Sequence, residues 1–370
     1  MKILHLLYES KGDPFGIGGV GIRAYEIYKH IKERHDVTLL CKKYPGANDR
    51  QIDGLRHIFV GIESKSLTKT LLSYAYHASR FVNRHSHKYD IIIEEFSPAI
   101  PTFLNAFTQK PIVLQVQGYT GNLYFRKYNP FYALTLSLME LLRPRLYDNF
   151  IFVNPETIKK FSLKKTKHIV SISNGISSDL LNMPFYEEDY ILYLGRIDIY
   201  GKGLDILLDA YSEFFKSFPG VRLVIAGDGR DRKRLEAMLM KLPEDIRKNI
   251  EMLGWVSGDK KRDVFNKALF VVLPSRHEDQ PIVALEAMGC GKAVIVSEIP
   301  QFHFATKNQA AVLFKLGNAE SLAQSMKNLV SNNDRREIGQ RGRNWVKDFT
   351  WNKIALKYED FLCRVLEEQD

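Results

Sequence analysis

The chain has 370 residues, 45% of them hydrophobic and 26% charged, with 53 Lys plus Arg against 43 Asp plus Glu for a formal charge of +10. This mix excludes a disordered, collagen-like or low-complexity chain and suits two globular domains of ~100 to 200 residues each. Cys41, Cys290 and Cys363 lie far apart without a Cys-x-x-Cys spacing, which argues against a disulfide framework or a zinc knuckle and fits a reducing cytoplasm.

Short apolar runs alternate with helical patterns, as parallel βαβ units require. Strands are predicted at 2–8, 37–41, 57–61, 90–94, 112–116, 150–154 and 168–171, then at 190–195, 221–226, 250–253, 269–273, 293–296 and 311–314. Helices are predicted at 22–31, 203–218, 259–268 and 319–330. A last helix at 351–366 has no strand after it, so it is free to return to the first domain. Ser, Asp, Asn, Pro and three consecutive acids break any periodicity over 177–189, the predicted linker. The expected organisation is two doubly wound, Rossmann-like α/β domains, 1–178 and 179–350, followed by the terminal helix 351–370. No run reaches the ~18 apolar residues of a membrane-spanning helix. The first nine residues are too short for a secretory signal. A soluble protein able to touch a membrane surface is expected.

The charge is uneven. Residues 1–180 hold 25 basic and 15 acidic side chains, whereas the remainder holds 28 of each. Such asymmetry points to an anionic partner of the first half: nucleic acid, lipid headgroups or a phosphorylated substrate. No recognition helix or aromatic RNA motif accompanies it, which argues against nucleic acid. Two basic aromatic stretches, 73–88 and 124–145, suit an anionic membrane surface. They equally suit helices covering the first sheet, with 131–142 mostly core and its cations at the rim.

Gly16-Ile17-Gly18-Gly19-Val20-Gly21 fits Gly-x-Gly-x-x-Gly, but Glu9 to Phe15 separate it from its strand, and Cys41-Lys42-Lys43 stands where a ribose-binding acid is expected. These departures weigh against a dehydrogenase. What remains is a loop whose bare amides approach an anion at a helix N-terminus. In the second half, Gly195-Arg196-Ile197-Asp198-Ile199-Tyr200-Gly201-Lys202 follows a strand, and its guanidinium and ammonium suit a diphosphate. Leu273-Pro274-Ser275-Arg276-His277-Glu278 leaves another strand, and Pro281 suits the first position of the next helix. The amides of Ile282 and Val283 can take phosphate oxygens. Glu278 and Glu286 frame that N-terminus, and as carboxylates they accept hydrogen bonds from sugar hydroxyls. Glu286 stands among Leu285, Ala287 and Met288, so its charge requires a partner.

The order of a Gly-Gly loop, Gly-Arg-x5-Lys and Pro-Ser-x-x-Glu-x7-Glu-Ala-Met resembles the retaining nucleotide-sugar glycosyltransferases of family 4. The resemblance runs from Gly18 to Phe349-Thr350-Trp351-Asn352, and its specific part is the Glu278-x7-Glu286 block. It implies the GT-B fold: two Rossmann-like domains facing a central cleft, with a C-terminal helix crossing back to the first. It also implies that Arg196 and Lys202 hold the donor diphosphate, Glu286 the ribose hydroxyls and Glu278 the transferred sugar, while Gly18 and Gly19 close over the diphosphate from the first domain. Val256, in Gly254-Trp255-Val256, falls in the block that flanks the nucleobase, and Asn174-Gly175-Ile176 matches the segment entering the linker.

The chain departs from the family at Gln117, where a His is frequent; Gln117 can donate to a sugar hydroxyl or carbonyl but cannot titrate. If the leaving phosphate itself takes the acceptor proton in a same-face attack, the missing imidazole need not abolish transfer. The implied reaction moves a sugar, with retention, from a UDP- or GDP-sugar to a glycan, lipid-linked or phosphate-bearing acceptor. Surface polysaccharide or glycoconjugate synthesis, in the cytoplasm or at the inner face of its membrane, is the implied setting. No cofactor beyond the donor and no metal is expected, because the sequence has neither Asp-x-Asp nor His-x-x-x-His. Arg196, Lys202 and the helix dipole would neutralise the departing diphosphate. A nucleotide-sugar epimerase or hydrolase of the same fold is the alternative.

Overall fold

A computed structural model describes residues 1–14, 16–163, 167–306, 309–332 and 334–368. They form two compact units: Met1–Asn174 joined by the chain from Trp351, and Gly175–Thr350.

In the first unit, β1 (Lys2–Leu6), β2 (Asp36–Lys42), β3 (Arg50–Ile52), β4 (Leu55–Val60), β5 (Ile91–Glu95), β6 (Ile112–Val116), β7 (Asn149–Phe152) and β8 (His168–Ser171) build one sheet. Its order is β3-β4-β2-β1-β5-β6-β7-β8, parallel except for the edge strand β3. The sequence reading missed β3, which is short, polar and largely exposed, with no apolar run to reveal it. Asp53-Gly54, both at positive φ, join it to β4 and were the readable hairpin signal. The central strands β5, β6 and β7 are buried throughout because helices cover both faces of the sheet there, whereas β4 and β8 alternate in burial. One face, with Leu4, Ile92, Leu114 and Phe150, packs on α2 (Leu67–His85). Residues of the opposite parity point to the other face, where His5 of β1 meets Tyr28 of α1 (Gly19–Ile31). Between β6 and β7 lies α3 (Pro130–Leu142); Asn129 caps it by accepting from Tyr132 N at 3.0 Å.

The second unit contains β9 (Tyr190–Leu194), β10 (Arg222–Ala226), β11 (Ile250–Gly254), β12 (Phe270–Leu273), β13 (Ala293–Ser297) and β14 (Val312–Phe314), all parallel, in the order β11-β10-β9-β12-β13-β14. Among its helices are α4 (Leu204–Phe215), α5 (Gly258–Lys267) and α6 (Ile282–Gly289). The predicted linker is not free chain. Leu180 is buried, and an added Cβ on Gly289 of α6 would lie 3.3 Å from its own. Finally α7 (Trp351–Glu367) returns to the first unit, where the Glu359 carboxylate takes 2.9 and 2.6 Å bonds from Arg34, just beyond α1.

Strand order reverses between β1 and β5 in the first sheet and between β9 and β12 in the second. Beyond the carboxyl ends of strands at such switch points, open α/β sheets leave a crevice for ligands.

Candidate functional site

At the second switch point, the loops leaving β9 and β12 run side by side. Lys202 forms an ion pair with Glu278 Oε1, which also accepts from Ser275 Oγ at 2.8 Å. Two details fix this approach. Gly203 has φ +68°, and a Cβ there would stand 2.0 Å from the Pro274 carbonyl, so the contact requires glycine. Arg276 donates twice at 2.7 Å to Asp205 in the first turn of α4 and once at 3.0 Å to the Tyr200 carbonyl, with its guanidinium 4.7 Å from the Tyr200 ring. Sequence reasoning passed over Arg276 because Asp205 lies 71 residues away along the chain.

Glu286 of α6 finds its expected partner in Lys261 of α5, at 2.7 and 2.6 Å from its two oxygens. Each site carboxylate therefore has one ammonium group against it, and both side chains are mostly enclosed, Glu278 at 11% and Glu286 at 16% exposure. Arg196 is different. Its side chain is exposed and makes no hydrogen bond or ion pair among the described residues, while its carbonyl accepts from the buried Tyr193 hydroxyl at 2.8 Å. Burial raises the Tyr193 hydroxyl pKa well above its ordinary value. The N–H groups of Ile282 and Val283 open α6 without intrahelical acceptors. Pro281 precedes the first turn, with ψ 120°, instead of standing in it as expected.

Val256 calls for a correction. Its side chain is 7% exposed and belongs to the core with Leu194 and Val264, so only its backbone could face a nucleobase. At the end of β11 the chain turns at Gly254 (φ +69°), leaving Trp255 outward at 64% exposure and Val256 inward.

At the first switch point the glycine loop is already engaged. The helix begins at Gly19, three residues before the expected Ile22, and Glu9 Oε2 accepts from the amides of Gly18 and Gly21 at 2.8 Å each. The anion at this helix N-terminus is thus the chain's own carboxylate, and the Gly18 amide does not lie open. Burial raises the Glu9 pKa, while the two amide bonds work in the opposite direction. A side chain on Gly21 would collide with Ile17 at 2.5 Å, whereas one on Gly19 would meet nothing within 4 Å.

Gln117 donates from Nε2 to Glu95 Oε2 at 3.0 Å. Glu95 Oε1 accepts from Gln115 and lies 3.2 Å from His5 Nε2, and His5 Nδ1 is 2.8 Å from the Tyr28 hydroxyl. Because an ionised carboxylate only accepts, Glu95 fixes the amide nitrogen of Gln117 inward and leaves its carbonyl oxygen to accept. The sequence reading had Gln117 as a donor and overlooked Glu95; two acids closing the apolar run Ile91-Ile92-Ile93 were the signal. Arg23 was overlooked as well. Fully buried in α1, it binds the Ile172 and Ser173 carbonyls at 2.9 and 2.6 Å and Asn174 Oδ1 at 3.1 Å, and burial lowers its pKa to about 10.

Two family models match this chain: Glycosyltransferase Family 4 over residues 17–180 and Glycosyl transferases group 1 over residues 184–345. The chain belongs to the family 4 glycosyltransferases. Among curated relatives, an uncharacterised glycosyltransferase of Methanocaldococcus jannaschii is 30% identical over 213 residues, 56% of this chain and 57% of that one. A phosphatidyl-myo-inositol mannosyltransferase of Mycobacterium leprae is 30% identical over 50% of this chain and 51% of its own. The chain thus spans about half the length of these relatives. Sucrose-phosphate synthase of Thermosynechococcus elongatus superposes with a TM-score of 0.80 at 19% identity, covering 100% of both chains. Anabaena HepE, solved with UDP and glucose, superposes at 0.74 with 17% identity, over 98% of this chain and 99% of that one. At such identities the likeness establishes the fold, which is GT-B.

Proposed function

We propose that this glycosyltransferase moves a sugar from a UDP- or GDP-sugar to a glycan, lipid-linked or phosphate-bearing acceptor, with retention and without a metal. The carrying observation is the Lys202–Glu278 ion pair at the second unit's switch point, with Arg196 exposed on the same loop as Lys202. Arg196 and Lys202 hold the diphosphate together with the amides of Ile282 and Val283. When a diphosphate binds, the Lys202 ammonium is shared between phosphate and Glu278, and the released oxygen of Glu278 accepts from the transferred sugar's hydroxyls. Glu286, steadied by Lys261, accepts from the ribose hydroxyls, and the backbone at Val256 flanks the base. Developing negative charge on the leaving diphosphate meets fixed cations and a helix N-terminus, the preorganised stabilisation that lowers a barrier most. A transition state served by these groups calls for no metal. In the first unit Gly19 stays open to a ligand, and Gln117 accepts from an acceptor hydroxyl. We place the reaction in surface glycan synthesis at the cytoplasmic face of a membrane.

A thermal-shift series across UDP- and GDP-sugars tests the donor. A ligand at ~100 times its dissociation constant adds ~2.7 kcal/mol of stability. The expected result is a shift for one nucleotide family that Arg196→Ala removes. No shift with any nucleotide-sugar, or an undiminished one in the variant, overturns the reading. Transfer undiminished in EDTA is expected, and loss of activity there that added divalent cation restores would remove the metal-free part.

A further inference from the structure

The expectation that 131–142 is mostly core is reversed in the structure. At 100° per residue, Phe131, Leu134, Leu138, Leu141 and Leu142 of α3 fall within an arc of about 100°. All five are exposed, Phe131 at 82% and the others between 41% and 50%. The opposite side of the helix carries Ala133, Leu136 and Glu140, which are buried. A surface helix of a globular protein ordinarily turns its apolar stripe inward. Here the stripe faces out.

Two charged anchors hold it so. Glu140 accepts from Thr120 N at 2.8 Å, Gly121 N at 2.7 Å and the Tyr124 hydroxyl at 2.9 Å. Just past the helix, Arg143 was expected at the rim but is 1% exposed. It is paired with Glu94 and donates to the Ser97 and Ile100 carbonyls at 2.8 and 2.7 Å. Rotating α3 to bury its leucines would expose neither group to a better partner and would strand both charges. The outward apolar face is therefore built into the first unit.

Contiguous exposed apolar surface rimmed by polar groups marks a protein or membrane contact, and charge decides between them here. Between Phe96 and Tyr147 the one acidic residue is Glu140, which is buried; the basic residues are Lys110, Arg126, Lys127, Arg143 and Arg145. Arg126 and Lys127 are exposed beside the start of α3. The first unit, with its C-terminal segment, holds 28 basic and 19 acidic side chains, a net +9. No helix among the described residues is long and apolar enough to cross a bilayer. We infer that α3 lies in the headgroup region of an anionic membrane, with Phe131 and the leucines in the acyl boundary and Arg126 and Lys127 at the phosphates. The other basic aromatic stretch does not share this role: α2 buries Tyr74, Ala75, Ala78 and Val82 against the sheet.

This inference deepens the membrane setting of the proposed function, and its test needs no donor or acceptor, so failed docking and failed transfer are separate results. The full chain is sedimented with phosphatidylcholine vesicles with and without phosphatidylglycerol. Expected are binding that requires phosphatidylglycerol and weakens in high salt, a loss of ~10-fold or more in partitioning for Phe131→Ser with Leu134→Ser and Leu138→Ser, and unchanged binding for Leu72→Ser with Tyr76→Ser on α2. Unchanged melting of the triple variant confirms that it folds. As a second measure, Phe131→Trp should add a blue-shifted emission on phosphatidylglycerol vesicles. Equal binding by wild type and triple variant, no spectral shift, or a vesicle-free dimer that the triple variant dissociates would overturn the inference, the last by assigning the face to a second copy of the chain.

Discussion

The two sheets reverse strand order in the same way, yet the residues at their switch points differ in kind. Beyond β9 and β12 stand cations and paired charges: Arg196 exposed, Lys202 on Glu278, Lys261 on Glu286. Beyond β1 and β5 stand two carboxylates satisfied from within, Glu9 by the amides of Gly18 and Gly21 and Glu95 by Gln115 and Gln117. The more basic unit thus has the acidic switch point, and its excess charge lies elsewhere. One architecture presents anion-binding groups where a donor diphosphate is proposed to sit and hydrogen-bond acceptors where hydroxyls are proposed to arrive.

The comparison breaks most sharply at Arg196 and Glu278. Replacing either with Ala is expected to lower transfer by ~10²-fold or more, while melting of Arg196→Ala moves little because Arg196 is exposed and unpaired among the described residues. Near-wild-type turnover in both variants would remove the donor assignment from the second unit.

Next in size is the anchor of the first unit. Arg143→Met leaves Glu94 buried and unpaired, although Thr102 and Tyr147 still donate to it. A loss of about 3–5 kcal/mol is expected in denaturant unfolding. A loss under 1 kcal/mol would mean that Arg143 is not the group holding α3 in place.

The glycine loop separates architecture from ligand contact. Gly21→Ala collides with Ile17 and is expected to lower stability by about 1–3 kcal/mol. Gly19→Ala meets empty space and should leave melting unchanged while lowering transfer about 10-fold if a ligand passes there. Unchanged transfer in Gly19→Ala would confine the loop to a structural role.

The smallest effect is electrostatic. Because the folded pKa of Glu9 is raised above the usual 4.5, its contribution to stability is full below that value and is lost as pH rises through the folded pKa. Glu9→Gln should remove this pH dependence, measured by denaturation at acid and neutral pH. The same pH dependence in both proteins would mean that Glu9 titrates as it does in the unfolded chain.

Much of the molecule was legible in the sequence alone. Parallel strands buried on both faces write themselves as apolar runs, so every strand but β3 was marked, and the spacing of Arg196, Lys202, Glu278 and Glu286 indicated family and fold, because local motif chemistry survives as local pattern. Tertiary structure decided what depends on partners remote in sequence: that Lys261 neutralises Glu286, that Glu9 occupies the glycine loop, that Glu95 turns the Gln117 amide, and that Arg143 is a core charge instead of a rim cation. It also decided which way α3 faces. The periodicity of its leucines fixes a stripe but not a direction, and only the anchors at Glu140 and Arg143 turn that stripe outward.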